Sequence, residues 1–474
     1  MCLCLRLCRV RMRLCRRWAL RLPSFARNGL PASSPPPGLH AYTRQDGGTR
    51  SRLHLRLEAD GAGLLLINAD RALHLNPSAA LLAWHLLEGH SAEEAVLSLT
   101  DRYRVSARAA RLDVERLAAQ FEELFRPEGA CPVHDFELEI LAPFSARMSA
   151  PYRMDLAVTY RCNANCAHCY NARPRTYPEL GTEAWIEVLR RVHQAGIPHV
   201  CFTGGEATLR DDLAELVAAA HAQGLVVGLL TNGRRLAERG FTERLMGAGL
   251  DHLQVTLESH DPSIHDRMVR AQGAWEETVA GIRNALRAGL YLMTNTTLLD
   301  DNASSIRETI DFLAELGVPT VGCNALIFSG KGAAVGAGLA ESELGELLPH
   351  VRAQTERHQQ KLIWYSPTQY CHFDPVQMEL GVKGCTAARY NLCVEPDGEV
   401  IPCQSYYQSL GNILAQPWEA IWNHPLALWL RQRRYVPEAC HDCPVLAECG
   451  GGCPLSLPHL APDLERATAI PMPA

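Results

Sequence analysis

Long apolar runs are missing from this 474-residue chain. No stretch of about 18 uninterrupted apolar residues occurs, and runs such as 64–67 are strand-sized, which excludes a membrane-spanning helix. Acidic residues are missing from positions 1–30, which hold eight Arg. The formal net charge is −6, so the remaining residues carry −14 once that +8 is set aside. This mild acidity argues against non-specific nucleic-acid binding by the whole chain. An apolar core of signal-peptide length is also lacking, because Arg interrupts the Leu and Cys of residues 1–17. What remains is ordinary: 47% hydrophobic residues, enough for large cores, in a length that suggests about three domains.

Eighteen Cys are the informative excess. Four lie before Arg16, three lie within residues 162–169 and seven lie between Cys385 and Cys453. Cys131, Cys201, Cys323 and Cys371 are scattered and read as buried structural thiols. Close bunching without a signal peptide points to metal or iron–sulfur ligation in a reducing compartment, hence a cytoplasmic location.

Residues 1–50 read as a disordered extension and linker. The Arg/Cys segment suits a presequence or translation from a start placed too far upstream, and Pro35 to Pro37 mark the linker. Residues 51–127 read as a small α+β domain. Leu53, Leu55 and Leu57 alternate as a half-buried strand, followed by a hairpin over 64–75. Asn76-Pro77 and the Ser91/Glu94 capping box start two helices, and Val114, Leu117, Phe121 and Leu124 line a third. That order suggests a winged-helix module. After a linker at 128–151, residues 152–340 alternate six strand patterns (154–159, 199–202, 226–230, 252–257, 291–298 and 321–327) with helices. The fold class is therefore α/β, a partial (β/α)6 TIM-like barrel, with chemistry at the C-terminal strand ends. Residues 341–384 read as a connecting helix and bridge. Residues 385–454 form a Cys-rich domain held by metal rather than by a hydrophobic core, and 455–474 a disordered tail.

Cys162, Cys166 and Cys169 follow the first barrel strand as C-x3-C-x2-C. Three thiolates can hold a [4Fe–4S] cluster and leave one iron open. A structural zinc site would need a fourth ligand, for which His168 is the nearby candidate. The spacing resembles the radical S-adenosylmethionine (radical SAM) superfamily. The resemblance implies that the open iron chelates S-adenosylmethionine and that reductive cleavage gives a 5′-deoxyadenosyl radical. It carries Gly204, Gly205 and Glu206 over as contacts to the cofactor's methionine end, with Glu206 accepting from the ammonium. Asn232, Thr256 and Arg270 follow as further cofactor contacts, with Asn295 and Thr296 weaker. Val255 to Ser259 stand where the family commonly reads Val-Ser-Leu-Asp-Gly, so Glu258 and Ser259 depart from it.

The pattern C-x12-G-x4-C (Cys385, Gly398, Cys403), then C-x2-C-x5-C-x3-C, resembles the SPASM extension of that superfamily. The resemblance implies one or two auxiliary [4Fe–4S] clusters. Cys385, Cys393, Cys403 and Cys453 would hold the first, and Cys440, Cys443 and Cys449 the second. No Cys follows Cys453. The second cluster then has an open iron, or a ligand such as His459, Asp463 or Cys371, or is lost.

The front domain resembles the PqqD-like element that recognises precursor peptides by adding the leader as a strand. A DNA-binding winged helix is the competing reading. Asp113, Glu115, Glu122 and Glu123 balance Arg108, Arg111 and Arg116 on its third helix, which suits DNA poorly. Together the resemblances imply a radical SAM/SPASM maturase that cross-links or oxidises a ribosomally made precursor peptide. Its expected reductant is flavodoxin or ferredoxin, with no DNA or membrane partner. The alternative is a radical SAM/SPASM enzyme acting on a small-molecule cofactor or tetrapyrrole precursor.

Overall fold

The computed structural model describes residues 35–46, 49–68, 71–124, 144–145, 147–173 and 175–457. It divides into two compact units that meet in sequence after Arg147. In the first, β1 (Gly38–Asp46), β2 (Thr49–Leu57), β3 (Gly63–Ile67) and β4 (Arg71–Leu75) form one antiparallel sheet in that order. Three helices follow: α1 (Pro77–Leu87), α2 (Ala92–Arg102) and α3 (Ala107–Leu124). Asn76 caps α1 by accepting from the Ala79 amide, and Ser91 with Glu94 completes the capping box of α2. Leu53, Leu55, Leu57, Leu65 and Ile67 from the sheet pack on Ala80, Ala83 and Phe121 from the helices.

Two expectations are corrected here. Residues 38–46 are not linker but a nine-residue strand, paired Gly38↔Leu57 to Asp46↔Thr49 with β2. Its own apolar content is weak; the register with β2 brings Tyr42 onto the core. Strand β2 is not half-buried either, since Arg52, His54 and Arg56 are as sheltered as the leucines they alternate with. Arg56 offsets part of that burial through Glu58 at 3.0 Å. The extension at 1–34, Cys131 and the tail beyond Leu457 lie outside the described residues.

The second unit is built on a ten-stranded open sheet. Its strands β5 (Arg153–Thr159), β6 (His199–Gly204), β7 (Val226–Thr231), β8 (His252–Thr256), β9 (Tyr291–Thr297) and β10 (Thr320–Asn324) are the six expected, all parallel. They are mostly buried on both faces, as a sheet covered by helices requires. The covering helices are α4 (Thr182–Gln194), α5 (Leu213–Ala222), α6 (Arg239–Gly247), α7 (Pro262–Val269), α8 (Ala274–Arg287), α9 (Ile306–Glu315) and α10 (Glu341–Arg357). In α4, Trp185, Val188, Leu189 and Val192 supply the buried stripe.

The sheet extends beyond six strands at both edges. The expected bridge contains β11 (Lys361–Trp364), which pairs in parallel with β10. At the other edge β12 (Asn391–Val394) runs parallel to β5, and β13 (Glu399–Ile401) and β14 (Gly411–Asn412) return antiparallel. The Cys-rich region is therefore anchored in part by a hydrophobic core, with Leu392, Val394, Val400 and Ile401 almost fully buried. Strands of two to four residues leave too little periodicity to be read from sequence. Among the described residues no helix is long and apolar enough to cross a membrane.

Candidate active site and metal centres

The loop carrying Cys162, Cys166 and Cys169 leaves the C-terminal end of β5 and is pinned by backbone from several elements. Gly205 and Glu206 donate their amides to the Thr159 and Arg161 carbonyls at 2.8 Å. Asn165 and Ala167 donate to Val269 and Met268 at the end of α7, each at 2.9 Å, and Lys331 donates to the Cys169 carbonyl at 2.9 Å. Asn171 Nδ2 donates to the Gly204 carbonyl at 2.6 Å, and Asn232 Nδ2 to Asn163 Oδ1 at 2.7 Å. The loop is held by hydrogen bonds from β6, α7, Asn232 and the turn at Lys331.

That packing gives the two glycines a reason the sequence reading missed. A Cβ at Gly204 would stand 2.0 Å from the Thr159 carbonyl oxygen, and one at Gly205 2.5 Å from that of Arg161. Their bareness lets β6 approach the root of the cysteine loop. Glu206 is also more committed than expected. Its Oε1 accepts from the Thr208 amide (3.1 Å), the Thr208 hydroxyl (2.7 Å) and the Thr231 hydroxyl (2.7 Å). Its Oε2 accepts from the Asn232 amide at 2.7 Å. The side chain is 1% exposed, so it ties the ends of β6 and β7 together and keeps at most one acceptor position, on Oε2, for a ligand.

Asn232 is thus gathered with Glu206 and the loop. Thr256, the last residue of β8, is half-buried and in register with Asn295. Arg270 closes α7 in a left-handed conformation, φ 51°, with an exposed side chain. It follows directly on the two carbonyls that hold the cysteine loop.

His168 and Glu258 form the feature that sequence reasoning missed. His168 Nε2 lies 3.0 Å from Glu258 Oε1, and Glu258 Oε2 accepts from the Thr297 amide at 2.8 Å. Burial works to lower the His168 pKa, but the charge and hydrogen bond of Glu258 overcome it and raise it. The Glu258 amide in turn donates to His265 Nδ1 at 3.2 Å. The residue that departs from the family pattern therefore bolts the cysteine loop to β8 and β9.

The remaining cysteines form two groups. Cys385, Cys403 and Cys453 are neighbours: beyond burial, Cys453 and Cys403 raise the Cys385 thiol, and Cys453 helps push Cys403 up to about 12. Cys393 adjoins this group: it is in register with Ile401, two residues before Cys403, and burial, then the charges of Asp155, Glu395 and Cys403, raise its thiol. It packs with Ala157 and Ile401 between β5, β12 and β13, fully buried, its Sγ donating to the Val394 carbonyl at 3.7 Å. Cys440, Cys443 and Cys449 flank a short helical turn, Leu446–Cys449. Cys371 is exposed, not buried as expected. His459 and Asp463 lie outside the described residues.

Residues 156–313 match the family model of the radical SAM superfamily, and residues 385–444 match SPASM, an iron–sulfur cluster-binding domain. Residues 63–124 match coenzyme PQQ synthesis protein D, PqqD. The chain is a radical SAM/SPASM enzyme with a PqqD-like domain in front.

Among solved structures, Streptococcus suis SuiB bound to S-adenosylmethionine is similar at 16% identity and a TM-score of 0.64, over 85% of this chain and 94% of SuiB. SuiB bound to its precursor peptide SuiA gives 16% and 0.62, over 84% and 93%. The protein anSMEcpe, with bound AdoMet and the Kp18Cys peptide, gives 16% and 0.53, over 64% and 89%. These likenesses are of fold.

Radical SAM and SPASM domains imply a [4Fe–4S] cluster that binds S-adenosylmethionine, and auxiliary clusters. The donor sets here fit such groups. All thirteen described cysteines are free thiols. Among the described residues, only His199, Cys201 and His252 place ligand atoms within 4.8 Å of one another. His199 and His252 begin β6 and β8, at the opposite strand ends from the cysteine loop, with their Nε2 atoms 2.8 Å apart. The loop thiols are thus spread wider than a single zinc ion needs, and His168 is engaged by Glu258. Two buried polar atoms in these elements, His168 Nδ1 and Asn295 Oδ1, lack a hydrogen-bond partner among the described residues, which suits a polar small molecule.

Proposed function

We propose that this enzyme modifies a ribosomally made precursor peptide by radical chemistry, installing a cross-link or an oxidation. The observation that carries the proposal is one chain joining a PqqD-like sheet, in which β4 is an edge strand among the described residues, to a three-cysteine loop at the C-terminal ends of a parallel sheet. In this reading Cys162, Cys166 and Cys169 hold the cluster that binds S-adenosylmethionine. A reduced cluster of this kind would supply the electron that cleaves the C5′–S bond of S-adenosylmethionine, releasing methionine and a 5′-deoxyadenosyl radical able to take hydrogen from an unactivated carbon.

The chain's own residues bind and orient. Glu206 Oε2 and the backbone at Gly204 and Gly205 face the amino-acid end of the cofactor, while Asn232, Thr256 and Arg270 hold its remaining polar groups. Cys385, Cys393, Cys403 and Cys453 serve one auxiliary cluster, and Cys440, Cys443 and Cys449 a second. The domain limits of this reading are 51–127 extended back to Gly38, then 152–340 and 385–454, with 341–384 between them. The reductant is a flavodoxin or ferredoxin, and the location is cytoplasmic.

In the front domain, β4 is an edge of the sheet whose Leu73 and Leu75 are half-exposed beside the core that holds Phe121 and Leu117 of α3. A leader added there gains backbone pairing and covers that apolar margin. Holding the leader raises the effective concentration of the core peptide, a gain of ~10² to 10⁴. The test compares full-length enzyme with enzyme lacking residues 1–130, each on peptide with and without leader. Modification should need both leader and front domain, while uncoupled deoxyadenosine formation survives the deletion. Pro in the leader's pairing segment should mimic the deletion. Equal turnover in all four combinations defeats the proposal and favours a small-molecule substrate.

A further inference from the structure

The second auxiliary group has three cysteines close in sequence and needs a fourth ligand to close. The turn over residues 368–372 supplies a candidate from 69 positions upstream of Cys440. This turn is laid along residues 449–452. The Tyr370 amide donates to Cys449 Sγ at 3.4 Å, Cys449 Sγ reaches the Thr368 carbonyl at 3.6 Å, and Gln369 Nε2 donates to the Gly451 carbonyl at 3.3 Å. A Cβ at Gly452 would meet Gln369 Cγ at 2.8 Å, so the two segments are in close contact.

The turn is also held from behind. Trp364 Nε1 donates to Thr368 Oγ1 at 3.0 Å, the Thr368 amide to the Lys383 carbonyl at 3.0 Å, and the Lys383 amide to the Tyr370 hydroxyl at 2.9 Å. Cys371 follows next, its thiol exposed. The Cys443 amide donates to the Cys440 carbonyl at 3.0 Å and the Leu446 amide to the Cys443 carbonyl at 3.1 Å, so consecutive turns carry Cys440, Cys443 and Cys449. Cys371 is one residue beyond the amide that meets Cys449. An amide hydrogen bond to a cluster thiolate, as Tyr370 offers Cys449, is also a usual second partner of an iron–sulfur ligand.

We propose that Cys371 is the fourth cysteine ligand of the second auxiliary cluster, together with Cys440, Cys443 and Cys449. The assignment rests on the auxiliary-cluster reading above. It removes the need for His459 or Asp463. With Cys385, Cys393, Cys403 and Cys453 on the first auxiliary cluster, both auxiliary sets are then complete.

The test uses the full chain, reconstituted anaerobically and labelled with iodoacetamide, with alkylation at each cysteine read by peptide mass spectrometry. An exposed free thiol reacts readily; a thiolate bound to iron does not. Cys371 should label at least about tenfold more slowly in the iron-loaded protein than after chelation, in step with Cys440, Cys443 and Cys449. As a second arm, Cys371→Ala, at an exposed position, should fold normally. With S-adenosylmethionine occupying the first cluster, its second auxiliary cluster should lose one iron on mild oxidation and give a three-iron EPR signal absent from the parent. Uptake of close to twelve irons with Cys371 still labelled as fast as in the stripped protein, or an unchanged EPR response in Cys371→Ala, overturns this assignment alone. Saturation near four irons per chain overturns the auxiliary-cluster reading with it.

Discussion

Two cysteine-bearing regions of the same unit are built in opposite ways. The loop after β5 draws backbone hydrogen bonds from the end of β6, the end of α7 and the turn at Lys331. Its cysteines sit in a frame of protein hydrogen bonds, which we expect to survive without metal. Residues 436–454 have only a 3-10 turn at Glu438–Cys440 and one helical turn at Leu446–Cys449. Three successive glycines, Gly450, Gly451 and Gly452, follow in left-handed conformations with φ of 64°, 79° and 82°. Residues 437–448 hold no buried residue and their backbone pairs mostly within the segment, so we expect iron to supply much of its order. In the first region protein shapes the metal site; in the second the metal shapes the protein.

The sharpest break in that comparison is functional. Cys166→Ala should abolish deoxyadenosine formation, a loss of at least ~10³-fold, and remove about four of about twelve irons. Because backbone holds the loop, the thermal midpoint should move by less than about 3 °C. A collapse in stability would show that the frame depends on iron. The next effect is structural. On chelation, amides in residues 436–454 should exchange at least about 100-fold faster, while those in residues 160–169 change by less than about tenfold. Equal loss of protection in both would erase the distinction.

The same contrast governs what could be read from the sequence. The C-x3-C-x2-C loop was legible because its chemistry lies in contiguous residues after a strongly apolar strand. Gly204 and Gly205 were found, but for a different neighbour: the clash a Cβ would make with Thr159 and Arg161 is a property of packing, not of the triplet. His168 with Glu258, ninety positions apart, was not legible, since the sheet makes it. Cys371 stood among the candidate ligands, but the turn that lays Tyr370 against Cys449 was not legible. Cys393 was counted among the ligands from the resemblance alone, whereas its approach to Cys403 is made by the pairing of β12 with β13. Strands β1, β11 and β14 escaped because pairing with a neighbour, rather than their own pattern, makes them strands.

A third prediction targets the frame itself. Gly205→Ala puts a methyl group 2.5 and 2.6 Å from the Arg161 and Tyr160 carbonyl oxygens, backbone that cannot swing aside. We expect a cost of about 1–3 kcal/mol in a denaturant midpoint, typical of overpacking. The first cluster should also lose iron while the auxiliary clusters stay loaded. Gly452→Ala, by contrast, meets only the flexible Gln369 side chain, although its φ of 82° adds strain; it should lower auxiliary iron and spare deoxyadenosine formation. The reverse pattern would mean that the two regions share one frame.

The smallest effect belongs to the side-chain bolt between His168 and Glu258. Glu258 is fully buried, and its charge and hydrogen bond raise the His168 pKa against the pull of burial. A buried ion pair recovers little net free energy, because both charges were taken out of water to make it. Glu258→Gln keeps the shape, an acceptor for the Thr297 amide and a partner for a neutral imidazole, so no buried charge is left stranded. The expected cost is about 1 kcal/mol, the net worth of a typical buried hydrogen bond, with iron content unchanged. His168→Gln in the same background should then cost less than it does in the parent, since each change removes the same contact; the coupling in that cycle should reach about 1 kcal/mol. If Glu258→Gln instead costs more than about 3 kcal/mol or empties the first cluster, the ion pair and not the backbone holds the cysteine loop. The loop would then depend on one buried side-chain pair, and the contrast with residues 436–454 would narrow to which kind of charge, carboxylate or iron, each region needs to stay folded.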